Sequence, residues 1–394
     1  MTPGPTSISK SCSISIGIFA WNEERAIAAT LESLFQQTLF TELSRVGWAA
    51  EVVCVTNGCT DRTPELAEDI FARDLRRPHF AGCVQGRVAR IERPGKINAW
   101  NEFVHSFSAR SAAYLFMMDA DIWIHCRETL WNMVRALEER PEASVAVDRP
   151  RKDIHFKQRK AILDTLSVGA SRITLTSEAQ LCGQLYCLRA PVARGIYLPR
   201  ELAACEDGIL KALVCTDNLA HEVWPQRICV AERAEHTFEA YTSPGAIIRN
   251  QKRQIIGQTM VHILIDKEFP SMIELERQNL QAIVRRRDAS DPGWLKRAVG
   301  AHLQRTRLFW RLYPSLLTQP FRSWLAADAR DRIWLLPAAL ARWVATLVSS
   351  WLAYRTLRAG CIAYWPKAKR RGACRPGKTA LDDSLTPSEA VGAD

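Results

Sequence analysis

Three short apolar runs, each broken by a polar turn and followed by a helical pattern, constrain this chain more than any other feature. SISIGIFA (13–20) runs into WNEE and then AIAATLESLFQQ at helical spacing. VVCVTNGCTDRT (52–63) repeats the arrangement, and its helix, PELAEDIFARDL, opens on Pro64. Proline suits a first helical turn because the amide it lacks has no partner there anyway. YLFMMDADI (114–122) is a third strand running into acids. Near-continuous apolar strands alternating with helices predict an α/β fold, a mostly parallel sheet covered on both faces. Ligands in such folds gather beyond the carboxyl ends of the strands. Asn22, Asn57 and Asp119 fall there.

The turn after the first strand, FAWNEE, lacks GxGxxG, and GxxxxGK followed by Ser or Thr is also missing. Neither a dinucleotide fingerprint nor a phosphate-loop nucleotidase is supported. With 394 residues, 47% hydrophobic and 24% charged, the chain is expected to fold. It exceeds the roughly 250–300 residues at which a single core stops growing, so a main domain plus a second element is expected. Charge locates that element. From Lys296 to Asp394 there are 17 Lys/Arg against 6 Asp/Glu, which equals the whole chain's net +11, so residues 1–295 balance at zero. Seven of the 13 Trp also lie between Trp294 and Trp365. Basic and Trp-rich together point to an anionic membrane surface before nucleic acid. The Lys367–Lys378 cluster has no recognisable base-reading element.

The 12 Cys are scattered without a CxxC pair, which fits reduced thiols in a cytosolic compartment. Met1–Ser13 has neither the basic start nor the apolar run of a signal peptide. The stretch 333–354 is long enough to span a bilayer, but Pro337 interrupts it and Arg342 sits at its centre. A central Arg costs about 2.5–3.5 kcal/mol on insertion scales. Arginines also flank both ends, which favours an interfacial or re-entrant element at the cytoplasmic face over a simple span. A true span and a soluble packing helix are the alternatives. Residues 148–180 read as polar, then weakly helical, over the site. A helical pattern dominates from 249 to 287, and the last twenty or so residues read as a disordered tail.

Chemistry concentrates in a few places. Asp119-Ala120-Asp121 puts two carboxylates one residue apart at a strand end, where they can share a hard divalent cation with phosphate oxygens. Glu206-Asp207 is a second acidic pair: one carboxylate facing a sugar donor can take the proton of an attacking hydroxyl. The same acids also suit a helix start, where they offset free amides and the dipole. Lys96, in the Gly-opened turn RPGKINAWN (93–101), is placed either near a diphosphate or on the surface. Arg249, Lys252 and Arg253 are expected ahead of another helix, facing phosphate or solvent.

Together these pieces resemble the family 2 glycosyltransferases, the inverting group with a GT-A fold. The turn Ala20-Trp21-Asn22-Glu23-Glu24 is similar to that family's NEE-like turn, and Thr56-Asn57-Gly58-Cys59-Thr60-Asp61 to its DDGSxD-like loop. Gly95-Lys96-Ile97-Asn98-Ala99-Trp100-Asn101 matches its GKxxAxN element, Asp119-Ala120-Asp121 its DxD, and Glu206-Asp207 its acceptor-side acids. The resemblance covers roughly residues 13–260. It implies a GT-A-like domain at 13–260 between a flexible 1–12 and a helical, membrane-associated 261–365, with a basic, then disordered, 366–394.

The resemblance also implies roles. Ala20, Asn22, Glu23 and Asn57 lie near the nucleotide base, Lys96 and Arg253 near nucleotide or phosphates, and Gly183 and Gln184 along the donor sugar or acceptor path. Asp121 is the principal ligand of Mg²⁺ or Mn²⁺, and Asp119 contacts the ribose or the metal; a late histidine, His236, completes the metal shell in some members. Asp207 is the general base and Glu206 orients the acceptor or supports the loop. The reaction implied is transfer of a single sugar from a nucleoside diphosphate to a hydroxyl acceptor. The membrane-facing tail, and not the resemblance, leads us to expect a lipid or lipid-linked acceptor, with a soluble small molecule as the alternative. Two departures matter: Thr56 and Asn57 replace the loop's acids, and Gln251-Lys252-Arg253-Gln254 lacks the Trp of the processive QxxRW motif. A catalytically inactive scaffold or sugar-nucleotide sensor is the reading these departures motivate.

Overall fold

The computed structural model describes residues 12–80, 82–153, 180–240, 243–306, 313–326 and 329–360. Among them, eight strands form one sheet: β1 (Cys12–Ala20), β2 (Ala49–Asn57), β3 (Val84–Ile91), β4 (Tyr114–Asp119), β5 (Trp123–Ile124), β6 (Val145–Lys152), β7 (Leu185–Arg189) and β8 (Ile228–Phe238). Their order is β3-β2-β1-β4-β7-β6-β8-β5. Strands β1 to β4 pair in parallel, as do β6 and β8; β7 runs antiparallel between β4 and β6, and β5 antiparallel along β8. The sheet is mixed, mostly parallel and GT-A-like.

The helices are α1 (Ile27–Phe35), α2 (Leu39–Val46), α3 (Thr63–Asp74), α4 (Lys96–Glu102), α5 (Thr129–Glu138), α6 (Ala190–Arg194), α7 (Glu206–Cys215), α8 (Pro244–Ile263), α9 (Glu274–Gln278), α10 (Leu280–Ser290), α11 (Trp294–Arg305), α12 (Pro314–Leu325) and α13 (Ala329–Arg358). The apolar runs are continuous because both sheet faces are covered. Ile16, Ile18, Val52, Cys54, Phe116 and Met118 meet Leu31, Leu34 and Phe71 on one face; Val53, Val55, Leu115 and Met117 meet Trp100 and Phe103 on the other. The second core also takes in Leu210 of α7, Ile255 and Met260 of α8, Val284 of α10, Trp294 and Val299 of α11, and Tyr354 and Leu357 of α13. It therefore runs across residue 260 without a break.

Two local expectations are corrected. Residues 148–152 do not belong to the element expected over the site: they complete β6, whose polar second half is held by β8, with a register shift between Val147 and Arg149. Arg249, Lys252 and Arg253 lie inside α8, not ahead of it, because Ser243 caps that helix by accepting a hydrogen bond from the Ala246 amide and Pro244 opens it. The element expected over the site falls mostly within 154–179, outside the described residues, as do 1–11 and the C-terminal tail. None of the described cysteines forms a disulfide.

Candidate active site

Four elements converge beyond the carboxyl end of the sheet: the end of β4, the start of α4, the segment before β7 and the first turn of α7. At the end of β4, Asp119 and Asp121 are partly exposed while Ala120 and Ile122 are buried. Backbone bonds hold this turn. The Asp119 amide donates to the Gln184 carbonyl at 2.8 Å, and the Thr30 hydroxyl of α1 lies 2.9 Å from both the Ala120 and Ile122 carbonyl oxygens.

Lys96 links the acids. Its Nζ donates to Asp119 Oδ1 at 2.6 Å, to Glu206 Oε1 at 2.7 Å and to the Gly183 carbonyl at 2.6 Å. Gly183 is needed for this closure, since a Cβ there would lie 2.7 Å from Glu206 Oε1. Burial pulls the Lys96 pKa down, but the carboxylates of Asp119 and Glu206 outweigh it and raise it overall. In turn Glu206 is held below the usual carboxylate range: burial opposes this, and Lys96, aided by Arg253, overrides it.

Asp207, one residue on, goes the other way. Burial, then the charge of Glu206, push it up to about 6. Two adjacent acids thus separate into one kept ionised and one that titrates near neutrality. That pattern suits a general base, whose pKa works best near the operating pH.

The α7 turn is set by a strained residue and a close approach. Cys205, the residue before α7, has φ 64° and ψ 39°, a left-handed conformation that costs a non-glycine residue about 1–2 kcal/mol. Its Sγ donates to Gln254 Oε1 at 3.0 Å. Beside it, Gly257 of α8 lets the helices touch: a Cβ there would stand 2.6 Å from the Ala204 carbonyl and 2.8 Å from Cys205 Sγ. On the outer side, Asp288 of α10 accepts from the Arg200 amide at 2.8 Å and from Trp294 Nε1 at 2.7 Å. Both α8 and α10 therefore hold the loop that delivers Glu206 and Asp207.

The remaining residues singled out from sequence fall in two groups. Asn57 is buried and spends its amide inside the fold, Nδ2 donating to the Ala20 carbonyl at 2.7 Å and Oδ1 accepting from the Gly95 amide at 2.9 Å. An aspartate could not donate to Ala20, so Asn57 clamps the first strand end to the turn carrying Lys96. Asn22 Oδ1 accepts from the Thr60 amide at 2.7 Å, and the Glu23 amide donates to Thr63 Oγ1 at 2.7 Å. These bonds join the 20–24 turn to the 57–63 loop. His236 is fully buried, with Nδ1 2.6 Å from Asp148 Oδ2 and Nε2 3.3 Å from Gln184 Oε1. Burial raises Asp148 despite the neighbouring imidazole. Among the described residues, no three His, Cys, Asp or Glu side chains are grouped to hold a metal, so His236 is not assembled with Asp119 and Asp121.

Sequence reading missed Thr30, Cys205, Gln254, Gly257 and Asp288. Their roles depend on partners 49 to 92 residues away, and no local pattern marks them.

The mixed sheet with acids at β4 and at the α7 start defines the GT-A-like class. Residues 15–184 match the family model described as Glycosyl transferase family 2. No curated protein matches the chain significantly. Among solved structures, S. aureus TarS 1–349 in complex with UDP-GlcNAc is 19% identical, over 89% of this chain and 91% of that one, with a TM-score of 0.43. Glucosyl-3-phosphoglycerate synthase from Mycobacterium tuberculosis, in complex with Mn²⁺, UDP-glucose and phosphoglyceric acid, is 14% identical over 66% and 84%, with a TM-score of 0.40.

Proposed function

We propose that this chain is a glycosyltransferase that moves one sugar from a nucleoside diphosphate to a hydroxyl acceptor with inversion. The observation that carries this reading is the Lys96 ammonium, held between Asp119 and Glu206 at 2.6 and 2.7 Å. It joins a strand-end carboxylate pair suited to a diphosphate to a helix-start pair suited to an acceptor. In the reaction the acceptor oxygen bonds to the anomeric carbon as the bond to the diphosphate breaks, and the electron pair leaves with the diphosphate. Asp207 takes the hydroxyl proton. Glu206, kept ionised by Lys96, fixes the turn and raises Asp207 toward neutrality.

The donor set suits a divalent cation. Asp119 and Asp121 offer hard oxygen ligands, and a Mg²⁺- or Mn²⁺-like ion commonly needs only one or two carboxylates plus substrate phosphates. Charge argues the same way, since Lys96 is already committed to Asp119 and Glu206 and does not neutralise a diphosphate as well. Such an ion, held by Asp121 and Asp119, would neutralise charge developing on the leaving diphosphate. Gln184 and Gly183 would border the donor sugar, with Arg253 beside Glu206 and the 20–24 turn near the base.

The acceptor is lipid or lipid-linked, at the cytoplasmic face of a membrane. Two features support this: the basic, Trp-rich C-terminal hundred residues, and Leu335–Arg358, a helical stretch long and apolar enough to cross a membrane. We assign the transferase domain to 13–260 and the membrane-associated region to residues within 261–365, the two sharing one continuous core.

The test is a panel of nucleotide sugars with Mn²⁺, Mg²⁺ or chelator, scored by thermal stabilisation and slow donor hydrolysis beside D121A and D207N. Metal-dependent stabilisation by one donor, lost in D121A, with turnover lost in D207N, is expected. Donor binding without turnover in any condition would instead establish a sugar-nucleotide sensor.

A further inference from the structure

The polarity of α13 is inverted. The side packed on the domain carries hydroxyls: Thr346 is 5% exposed, and Ser349 and Ser350 are fully buried, alongside Ala339, Ala353 and Leu357. Gln251 of α8 binds two of them, Nε2 donating to Thr346 Oγ1 at 2.8 Å and Oε1 accepting from Ser349 Oγ at 3.2 Å. The solvent side carries Leu336, Leu340, Val344, Val348 and Trp351, exposed by 37, 45, 51, 39 and 44%. Steps of four, four, four and three keep these five on one face of a helix. A surface helix of a soluble domain shows the opposite arrangement.

We infer that this outer stripe of α13 is a seat for an anionic lipid surface, on which the helix lies flat instead of crossing. The inference rests on the reading of the chain as a transferase working at a membrane, and it names the surface and the orientation. Flatness follows from the inner face. From Thr346 to Leu357, Gln251 and the buried Tyr354 and Leu357 fix that face to the domain, so this part of α13 offers lipid only its outer half. Leu336 to Trp351 covers about 22 Å at 1.5 Å per residue.

The chemistry of the occupant follows from charge. Helix α13 contains five arginines and one aspartate, and no acid follows Asp331 within it. Arg355 and Arg358 share the outer face with the stripe, and the Arg355 guanidinium stands 4.9 Å from the centre of the Trp351 ring. An apolar stripe ending in Trp and Arg matches the boundary between acyl chains and anionic headgroups. A second copy would bring these like charges together, which disfavours self-association through the same face.

The test is co-sedimentation of the full chain with vesicles of phosphatidylcholine alone and with phosphatidylglycerol added. The wild type is expected to bind the anionic vesicles preferentially and to be released by alkaline carbonate. V344E/V348E changes two exposed positions and is expected to weaken that binding by roughly 100-fold, with its melting temperature and vesicle-free donor hydrolysis unchanged. R355A/R358A is expected to reduce the preference for phosphatidylglycerol. Undiminished binding of V344E/V348E would overturn the seat, as would a wild-type dimer that this variant dissociates. Resistance of the wild type to carbonate would overturn the flat orientation. Loss of donor turnover with vesicle binding intact would count against the transferase reading alone.

Discussion

The two ends of the carboxylate cluster are built differently. Asp119 and Asp121 end a central strand and are steadied by main-chain bonds and the Thr30 hydroxyl, all within the first 184 residues. Glu206 and Asp207 begin a helix after a left-handed cysteine, and α8 and α10 press that turn into place from outside the family-matched segment. Lys96 is the joint between them. The difference teaches that the two acid pairs have separate supports, so on the proposed roles mutations can be chosen that damage donor binding or proton removal without the other.

The sharpest separation is D207N. Removing a general base typically costs 10²–10⁴-fold, and the expected loss is in kcat alone, with donor stabilisation retained; a matching loss of donor binding would break the division. K96A should strike both ends. It leaves Glu206 buried without its ammonium partner, a loss of about 3 kcal/mol, read as a lower denaturation midpoint together with weaker donor binding. G257A should touch only the base end, because its new Cβ meets the Ala204 carbonyl and Cys205 Sγ; about a 10- to 100-fold drop in kcat at constant donor KM is expected.

A pH profile sharpens the same point. With Asp207 as the proposed base, the acid limb should lie near its value of about 6. E206Q removes the neighbouring charge and should move that limb downward. Stability has the opposite sign: an acid raised on folding stabilises fully below its unfolded pKa, and that contribution is lost as pH rises through about 6. D207N should therefore narrow the stability difference between acid and neutral pH. The smallest effect is expected for T30A, about 1 kcal/mol from a lost buried hydrogen bond, with donor binding weakened and the pH limb unmoved.

Legibility in the sequence followed the range of the contacts. The strands β1, β2 and β4 and the helices after them were readable because burial on both faces demands continuous apolar runs. The two acid pairs were readable because each is local. Residues 148–152 were not: RPRK lacks an apolar run and forms a strand because β8 lies beside it. The meeting of His236 with Asp148 joins residues 88 positions apart. Asn57 was read as facing a base edge, while its buried amide ties Ala20 to Gly95. A side chain's type is visible in the sequence, but the direction in which its polar atoms are spent is not.

Helix α8 has one more consequence. Gln251 grips α13 on one side, and six residues later Gly257 touches the turn that delivers Asp207, an axial interval of about 9 Å. With α13 on a lipid surface, this strut fixes how high the base stands above the headgroups. Acceptors would then be sorted by reach: a hydroxyl carried too close to the bilayer, or too far from it, would miss the base whatever its sugar.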